Sequence, residues 1–276
     1  MAEGSARGSA QPVITAVQNA LNSILGASPV LNNAGGAGRI FELYVMTGIA
    51  REMQNRGFEV WLQRSDGKRI LPADPNRVFI QRGGAPTGVL PVSAGDGNAS
   101  VIGMRRPNDL AWELWNGIQF EGRSGAYHEV DIALVPGSVG DALRVPGGRP
   151  FGRPRVAIEC KDVATAGSPD EMRAFVARLY DLTILTVHQP HLTTPQPTMA
   201  IYPSSPTGPF YTARGTYWSE NRHSFNAIAR KSTFSTGALS MTTYYAIDDH
   251  PSITLNSTGY AALIQAVCQW IEDEIP

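Results

Sequence analysis

The sequence lacks three features that would otherwise define its class. It has only two cysteines, no apolar run near the roughly 20 residues of a membrane-spanning helix, and no excess of positive charge, since 23 Lys and Arg balance 24 Asp and Glu. The opening residues 1–12 are small and polar, without the basic and apolar stretches of an export signal. We therefore expect a soluble, cytoplasmic protein with free thiols and no membrane association, in which any nucleic-acid surface is a local patch.

Lysine is also scarce, because arginine supplies almost all the positive charge. Lys68, Lys161 and Lys231 are the only lysines of the chain. An ammonium is a compact point charge, whereas a guanidinium is a planar fork with several donors. A lysine at position 161 is therefore an uncommon choice in this sequence.

Periodicity and turn residues predict an α/β fold with a central mixed β-sheet flanked by helices. A disordered segment, 1–12, precedes a single domain, 13–276. Residues 66–108, rich in Gly, Pro and Arg, are interpreted as an insertion or long loop. Helices are predicted at 13–25, 39–55, 169–180, 220–230 and 257–274, and strands at 58–63, 112–120, 127–135, 155–161, 182–188, 199–202 and 242–247.

Two polar pairs interrupt the apolar strands in the middle of the chain. Alternate side chains of a strand share a face, so Glu159 and Lys161 lie together, as do Glu129 and Asp131. If the two strands are antiparallel neighbours, Asp131 meets Glu159 across the ladder. Two carboxylates with water and phosphate oxygens form the ligand shell that Mg²⁺ prefers, and an ammonium beside the ion can orient the attacking water.

These residues resemble those of a known superfamily. The segments HEVDIALV at 128–135 and IECKD at 158–162, with the helix that follows, are similar to the PD-(D/E)xK, or restriction-endonuclease-like, nucleases. The helix text EMRAFVARLYDL further resembles the Mrr branch, which cleaves DNA in restriction and defence. The resemblance implies an α-β-β-β-α-β core over about 38–203, with an insertion at about 66–108 and a C-terminal extension at about 204–276.

The resemblance also implies a site and its partners. The catalytic residues would be Glu42, Asp131, Glu159 and Lys161, and the metal ligands would be Asp131, Glu159 and the backbone carbonyl of Cys160. The implied cofactor is Mg²⁺, with Mn²⁺ as a substitute, and no small organic cofactor is expected. The implied function is a metal-dependent DNA endonuclease in bacterial restriction or phage defence. It would act preferentially on double-stranded DNA, and the protein could form a homodimer or higher oligomer.

Several alternatives remain open on the sequence alone. Asp131 and Lys161 would also suit an ion pair on a solvated sheet face, and Glu42 would suit the positive end of a helix dipole. The chain would then be a catalytically silent nuclease-fold module for binding or assembly. A third alternative is a nuclease that acts on RNA. Glu129 is either a second carboxylate behind the ligands or an exposed residue. Basic residues suited to a nucleic-acid groove fall in two sets: Arg123, Arg153, Arg155, Arg173 and Arg178, then Arg214, Arg222, Arg230 and Lys231 interleaved with Tyr211, Tyr217 and Trp218.

Overall fold

The computed structural model describes residues 4–33, 36–81, 99–144, 149–150, 152–182 and 224–275. Its helices are α1 (Gly4–Leu25), α2 (Gly36–Asn55), α3 (Gly137–Arg144), α4 (Pro169–Leu182), α5 (Thr236–Tyr244) and α6 (Thr258–Glu274). Its strands are β1 (Val30–Asn33), β2 (Glu59–Gln63), β3 (Val78–Gln81), β4 (Val101–Arg105), β5 (Trp112–Glu121), β6 (Tyr127–Pro136), β7 (Val156–Lys161), β8 (Phe225–Arg230) and β9 (Asp248–His250).

The described strands form one large mixed sheet and one small sheet. The large sheet has seven strands in the order β2-β4-β5-β6-β7-β8-β9, and the small one pairs β1 with β3. Neighbours from β2 to β7 run antiparallel, whereas β7, β8 and β9 run parallel. This mixed sheet confirms the predicted α/β class. Strands β6 and β7 lie inside it, with paired neighbours on both sides.

Helices cover both faces of the sheet and bury a separate core on each. On the first face, α1, α2 and α6 pack through residues such as Leu21, Ile49 and Val267. On the second face, α3, α4 and α5 pack through residues such as Leu143 and Phe175. The result is an α/β/α sandwich, and none of the helices in the described ranges is long and apolar enough to cross a membrane.

Local sequence explains where the elements near the centre begin. The β5–β6 hairpin turns at Gly125, whose φ of 80° suits a residue without a side chain. Helix α4 opens with a capping box, in which Glu171 N–H donates to Ser168 Oγ and Ser168 N–H donates to Glu171 Oε2. Pro169 occupies the first helical position, where its missing N–H costs no hydrogen bond. The hairpin carries Asp131, and α4 packs beside β7, which carries Glu159 and Lys161.

Most predicted elements before residue 182 are confirmed, with two corrections. Residues 4–12, predicted to be disordered, form the first turns of α1, because extending a helix already packed at Val17 and Leu21 costs less than nucleating one. The segment 66–108 is not only a loop: it contributes β3 and, within the large sheet, β4. Strand β4 buries side chains on both faces and so lacks the alternation that reveals a strand.

Beyond residue 182 the sequence prediction is less accurate. The strands predicted at 182–188 and 199–202 lie outside the described residues, apart from Leu182, which ends α4. The helix predicted at 220–230 is wrong, because residues 225–230 form β8. The strand predicted at 242–247 is also wrong over its first half, which belongs to α5, whereas the closing helix at 257–274 is confirmed as α6. The supposed C-terminal extension therefore supplies β8 and β9 of the central sheet and two of its covering helices, α5 and α6.

Candidate active site at the opening between β6 and β7

The site forms where strands β6 and β7 stop pairing with each other. Their antiparallel ladder includes the pair Ile132 and Ile158, and one further step would place Asp131 opposite Glu159. There the Cys160 N–H instead donates to Asp131 Oδ2 at 2.7 Å. A carboxylate thus accepts a backbone hydrogen bond at the point where the two strands separate, deep inside the sheet.

Gly117 explains how Asp131 reaches residues on both faces of the sheet. The register of the hairpin places Gly117 opposite Asp131, and its φ of 63° breaks the regular strand conformation. Leu114 packs in the core of the first face, but Ile118, four residues later on the same strand, packs in the core of the second. The hairpin therefore exchanges its faces at this step. Asp131 lies at the exchange, between helix α2 on one side and helix α4 on the other.

Glu159 brings the second carboxylate and both of its cations to the same point. Its Oε1 accepts from Lys161 Nζ at 2.5 Å and from Arg178 Nη2 at 2.7 Å. The side chain is only 4% exposed. Its other oxygen, Oε2, is buried and has no hydrogen-bond partner among the described residues. One carboxylate oxygen therefore carries two cations, and the other has none.

Glu42 completes the cluster from the first face of the sheet. Asn116 Nδ2 donates to Glu42 Oε2 at 2.8 Å and to the Asp131 carbonyl at 2.9 Å. Arg39 Nη1 lies 3.2 Å from the same Glu42 oxygen and 2.7 Å from Glu129 Oε1. Burial raises the pKa of Glu42, although the Asn116 and Arg39 contacts favour its charged form. Helix α2 thus places the partly desolvated carboxylate of Glu42 next to Asp131.

The carboxylates perturb one another strongly. Burial and the nearby charges of Glu159 and Glu42 raise the pKa of Asp131 to about 8. For Lys161 burial alone would lower the pKa, but the Glu159 carboxylate outweighs it and the net shift is upward. At neutral pH the lysine is therefore a cation, and a metal cation could replace the proton on the Asp131 carboxyl.

The structure brings together the residues that the sequence singled out for chemistry. Glu42, Asp131, Glu159 and Lys161 all belong to one electrostatically coupled cluster, and Glu129 joins it through Arg39. The Cys160 backbone enters through its N–H, whereas the predicted role of its carbonyl stays a prediction. Cys160 and Cys268 are both free and buried, as expected. The catalytic roles assigned to these residues also stay predictions.

The predicted basic groove is less coherent than the acidic cluster. Of the first basic set, Arg178 contacts the cluster carboxylate Glu159. The others have different neighbours: Arg123 lies over Tyr180, Arg153 is buried beside Asn226, Arg155 lies over Trp270, and Arg173 pairs with exposed Asp170. In the second set Arg230 is buried against Glu171, and Lys231 pairs with Asp162. The remaining members, Tyr211, Arg214, Tyr217, Trp218 and Arg222, lie outside the described residues.

Sequence reasoning missed three residues that shape the site. Arg39 stands three positions before Glu42, a helical spacing at which the ion pair was detectable. Asn116 and Gly117 lie in the middle of a largely buried strand, where an amide side chain indicates a polar contact and a glycine indicates a backbone irregularity. Their partners on α2 and β6 follow only from the tertiary structure.

The oxygens of the cluster fit a cation that needs few protein ligands. In the described part of the chain no group of three or more His, Cys, Asp and Glu side chains is arranged as a metal site. Mg²⁺ commonly takes one or two carboxylates and completes its shell with water and substrate phosphate. Asp131, with its raised pKa, and the unpartnered Glu159 Oε2 supply two such oxygens.

Comparisons with protein-family models, with curated proteins and with solved structures found no significant match to this chain.

Proposed function

We propose that the chain is a Mg²⁺-dependent nuclease of the PD-(D/E)xK type that hydrolyses phosphodiester bonds in DNA. The observation that carries the proposal is the desolvated carboxylate pair of Asp131 and Glu159 at the opening of two central strands, with Lys161 beside it. The order of elements supports it as well. If β2, β3, β4 and α3 are counted as additions, then α2, β5, β6, β7, α4 and β8 follow the α-β-β-β-α-β order of the core.

The simpler interpretation, an ion pair on a solvated sheet face, does not account for this geometry. Lys161 pairs with Glu159 and not with Asp131, and β6 and β7 are interior strands of the sheet. Burying a charge is costly unless a partner or a metal compensates for it. A sheet used only as a scaffold gains nothing from placing the half-buried Asp131 beside the buried carboxylates of Glu42 and Glu159, which favours a site over the catalytically silent module.

The residues divide the chemistry among themselves. Asp131 and Glu159 would hold Mg²⁺, and when bound the ion would polarise the phosphate and lower the pKa of the attacking water. Lys161 remains protonated, so it acts as a fixed cation beside the phosphate and not as a general base. Glu42 and Asn116 hold the Asp131 segment from the first face. As the P–O bond breaks, the attacking water releases a proton to solvent and the leaving oxygen takes one from solvent.

A role in restriction or phage defence rests on the resemblance of the segments around Asp131 and Glu159 alone. So do the preference for double-stranded DNA and the option of a homodimer. The preference for DNA is tested by the same experiment, because RNA is supplied as a second substrate.

The proposal is tested by incubating the purified chain with supercoiled plasmid and, separately, with RNA. We expect cleavage of DNA with Mg²⁺ or Mn²⁺, none with chelator, and at most binding with Ca²⁺, whose looser geometry supports catalysis poorly. Asp131→Asn should abolish cleavage. Asp170→Asn, which removes an exposed carboxylate of α4, is the matched control and should leave it intact. Cleavage that persists in chelator, or its complete absence with every metal and substrate, would contradict the proposal.

A further inference from the structure

We infer that Arg178 is a positioning residue of the candidate site: it binds one oxygen of the Glu159 carboxylate so that the other, Oε2, is kept free for the metal. The inference rests on the proposed function and adds a residue to it. Arg178 lies on α4, and the sequence indicated it only as one of several basic residues suited to a nucleic-acid groove.

The two oxygens of Glu159 are used very differently. Arg178 Nη2 and Lys161 Nζ both bind Oε1, although two cations of like charge would repel each other less on separate oxygens. Oε2 is buried without a partner among the described residues. A buried polar atom left without a hydrogen bond is costly. The arrangement is therefore explained if Oε2 is reserved for a cation that the chain itself does not supply.

The guanidinium of Arg178 is fixed from three directions. Its Nη1 donates to the Glu129 carbonyl in β6 at 3.1 Å, while Nη2 binds Glu159 in β7 at 2.7 Å. Its charge also lies 5.6 Å from the centre of the Phe175 ring, one helical turn earlier on α4. Arg178 therefore links the two strands where they open and fixes the position of the Glu159 carboxylate between them.

Only a guanidinium meets both hydrogen-bonding demands at once. Its planar fork presents separate N–H groups in fixed directions, whereas a lysine ammonium is a point charge on a flexible stem. Arg178→Lys should therefore retain the charge but lose the bridge between Glu129 and Glu159. This separates a positioning role from a purely electrostatic one.

The two roles predict metal affinities that change in opposite directions. If Arg178 contributed only its positive charge, its removal would strengthen the binding of a divalent cation nearby. If it positions Glu159, its removal weakens binding despite the lost repulsion. Loss of a residue that orients a metal ligand typically costs about 10- to 100-fold in affinity.

The experiment measures the affinity for Mn²⁺ alone, without nucleic acid, from the electron paramagnetic resonance signal of the free ion. The full chain is compared with Arg178→Met, Arg178→Lys and the control Arg173→Met, which removes an exposed arginine of the same helix. Thermal unfolding of each variant confirms folding. We expect binding weakened about 10-fold or more in both Arg178 variants and unchanged in the control.

The outcomes separate this inference from the proposed function. If the parent binds Mn²⁺ and Arg178→Met binds it equally or more tightly, the positioning role is wrong while the nuclease proposal stands. If Arg178→Met does not fold, Arg178→Lys decides by the same criterion. If the parent binds no Mn²⁺ and cuts no nucleic acid, both the inference and the proposed function are overturned.

Discussion

At the scale of single residues, burial and neighbouring charges in the candidate site oppose the ionisation of its carboxylates. Asp131 is an extreme case, since burial and the charges of Glu159 and Glu42 raise its pKa to about 8 from an ordinary value of 3.8. Between these two values the folded chain binds more protons than the unfolded chain. The stability of the metal-free protein should therefore fall as the pH rises through this window.

This gives a prediction for Asp131→Asn in the absence of metal. The amide oxygen can still accept from the Cys160 N–H, but it carries no charge, so the variant should be more stable than the parent at pH 8. We expect a gain of at least about 1 kcal/mol, since each pKa unit corresponds to about 1.4 kcal/mol. Thermal unfolding at several pH values measures it. The gain should disappear near pH 4. A variant less stable than the parent at pH 8 would show that the ionised Asp131 does not destabilise the metal-free protein.

Gly117 gives a second prediction at this scale. A Cβ at this position would lie 2.6 Å from Arg39 Nη1, and the φ of 63° already disfavours a side chain. Gly125 has a φ of 80° but open space around it. Gly125→Ala should therefore lose about 1 kcal/mol of stability from backbone conformation alone. Gly117→Ala should lose more stability, because Arg39 must also leave its ion pairs with Glu42 and Glu129. Denaturant unfolding measures both changes, and equal losses of stability in the two variants would contradict this role of Gly117.

At the scale of elements, local signals succeeded where an element has caps or a turn of its own. Helix α4 has Ser168, Pro169 and Glu171 at its start, and α6 has Ser257, whose Oγ accepts from the Tyr260 N–H. These contacts are made within a few residues and so are readable from the sequence. Such ends fix the position of α4 and, with it, of Arg178.

Helix α5 shows why other elements were mispredicted. Its second half, with Thr242, Thr243 and Tyr244, is rich in residues that favour strands. Capping by Ser235 and burial of Ala238 and Thr242 on the second face of the sheet override that preference. Strand β8 was missed for the opposite reason: all of its side chains are buried, so it shows no alternation.

The capping box of α4 can be tested by Ser168→Ala. The Glu171 N–H would lose its acceptor, and the free energy of unfolding should fall by about 1 kcal/mol. Denaturant unfolding measures the change. Ser240→Ala, on the exposed surface of α5, is the control and should differ little from the parent. If both variants were equally stable, the cap would not contribute to fixing α4.

At the scale of the whole molecule, the site lies where two independent cores meet. Helix α2 brings Glu42 and Arg39 from one face of the sheet, and α4 brings Arg178 from the other. The exchange of faces at Gly117 lets Asp131 interact with both. Substitutions at the site should therefore change the electrostatic interactions of the site more than the packing of either helical layer.

The sequence predicted the acidic centre of the site but not its surroundings. The alternation of β7 places Glu159 and Lys161 on one side of a strand, and this local rule holds in the structure. The roles of Asn116 and Arg178, and the ion pair of Arg39 with Glu129, depend on contacts between different secondary-structure elements, which no local pattern specifies. For the same reason the sequence could not reveal that residues after 224 complete the sheet.

The nuclease assignment depends most strongly on Lys161. Its test is the cleavage rate of Lys161→Ala on plasmid DNA with Mg²⁺, with DNA affinity measured in parallel. Lys161 contacts Glu159 but is not part of either core, so the variant should fold and bind DNA. Loss of its preorganised charge should lower the cleavage rate by about 10²-fold or more. Lys68→Ala, which removes an exposed lysine paired with Asp66, should cleave like the parent. If a folded Lys161→Ala protein cleaves DNA as fast as the parent, the assignment of this cluster as a nuclease site is contradicted.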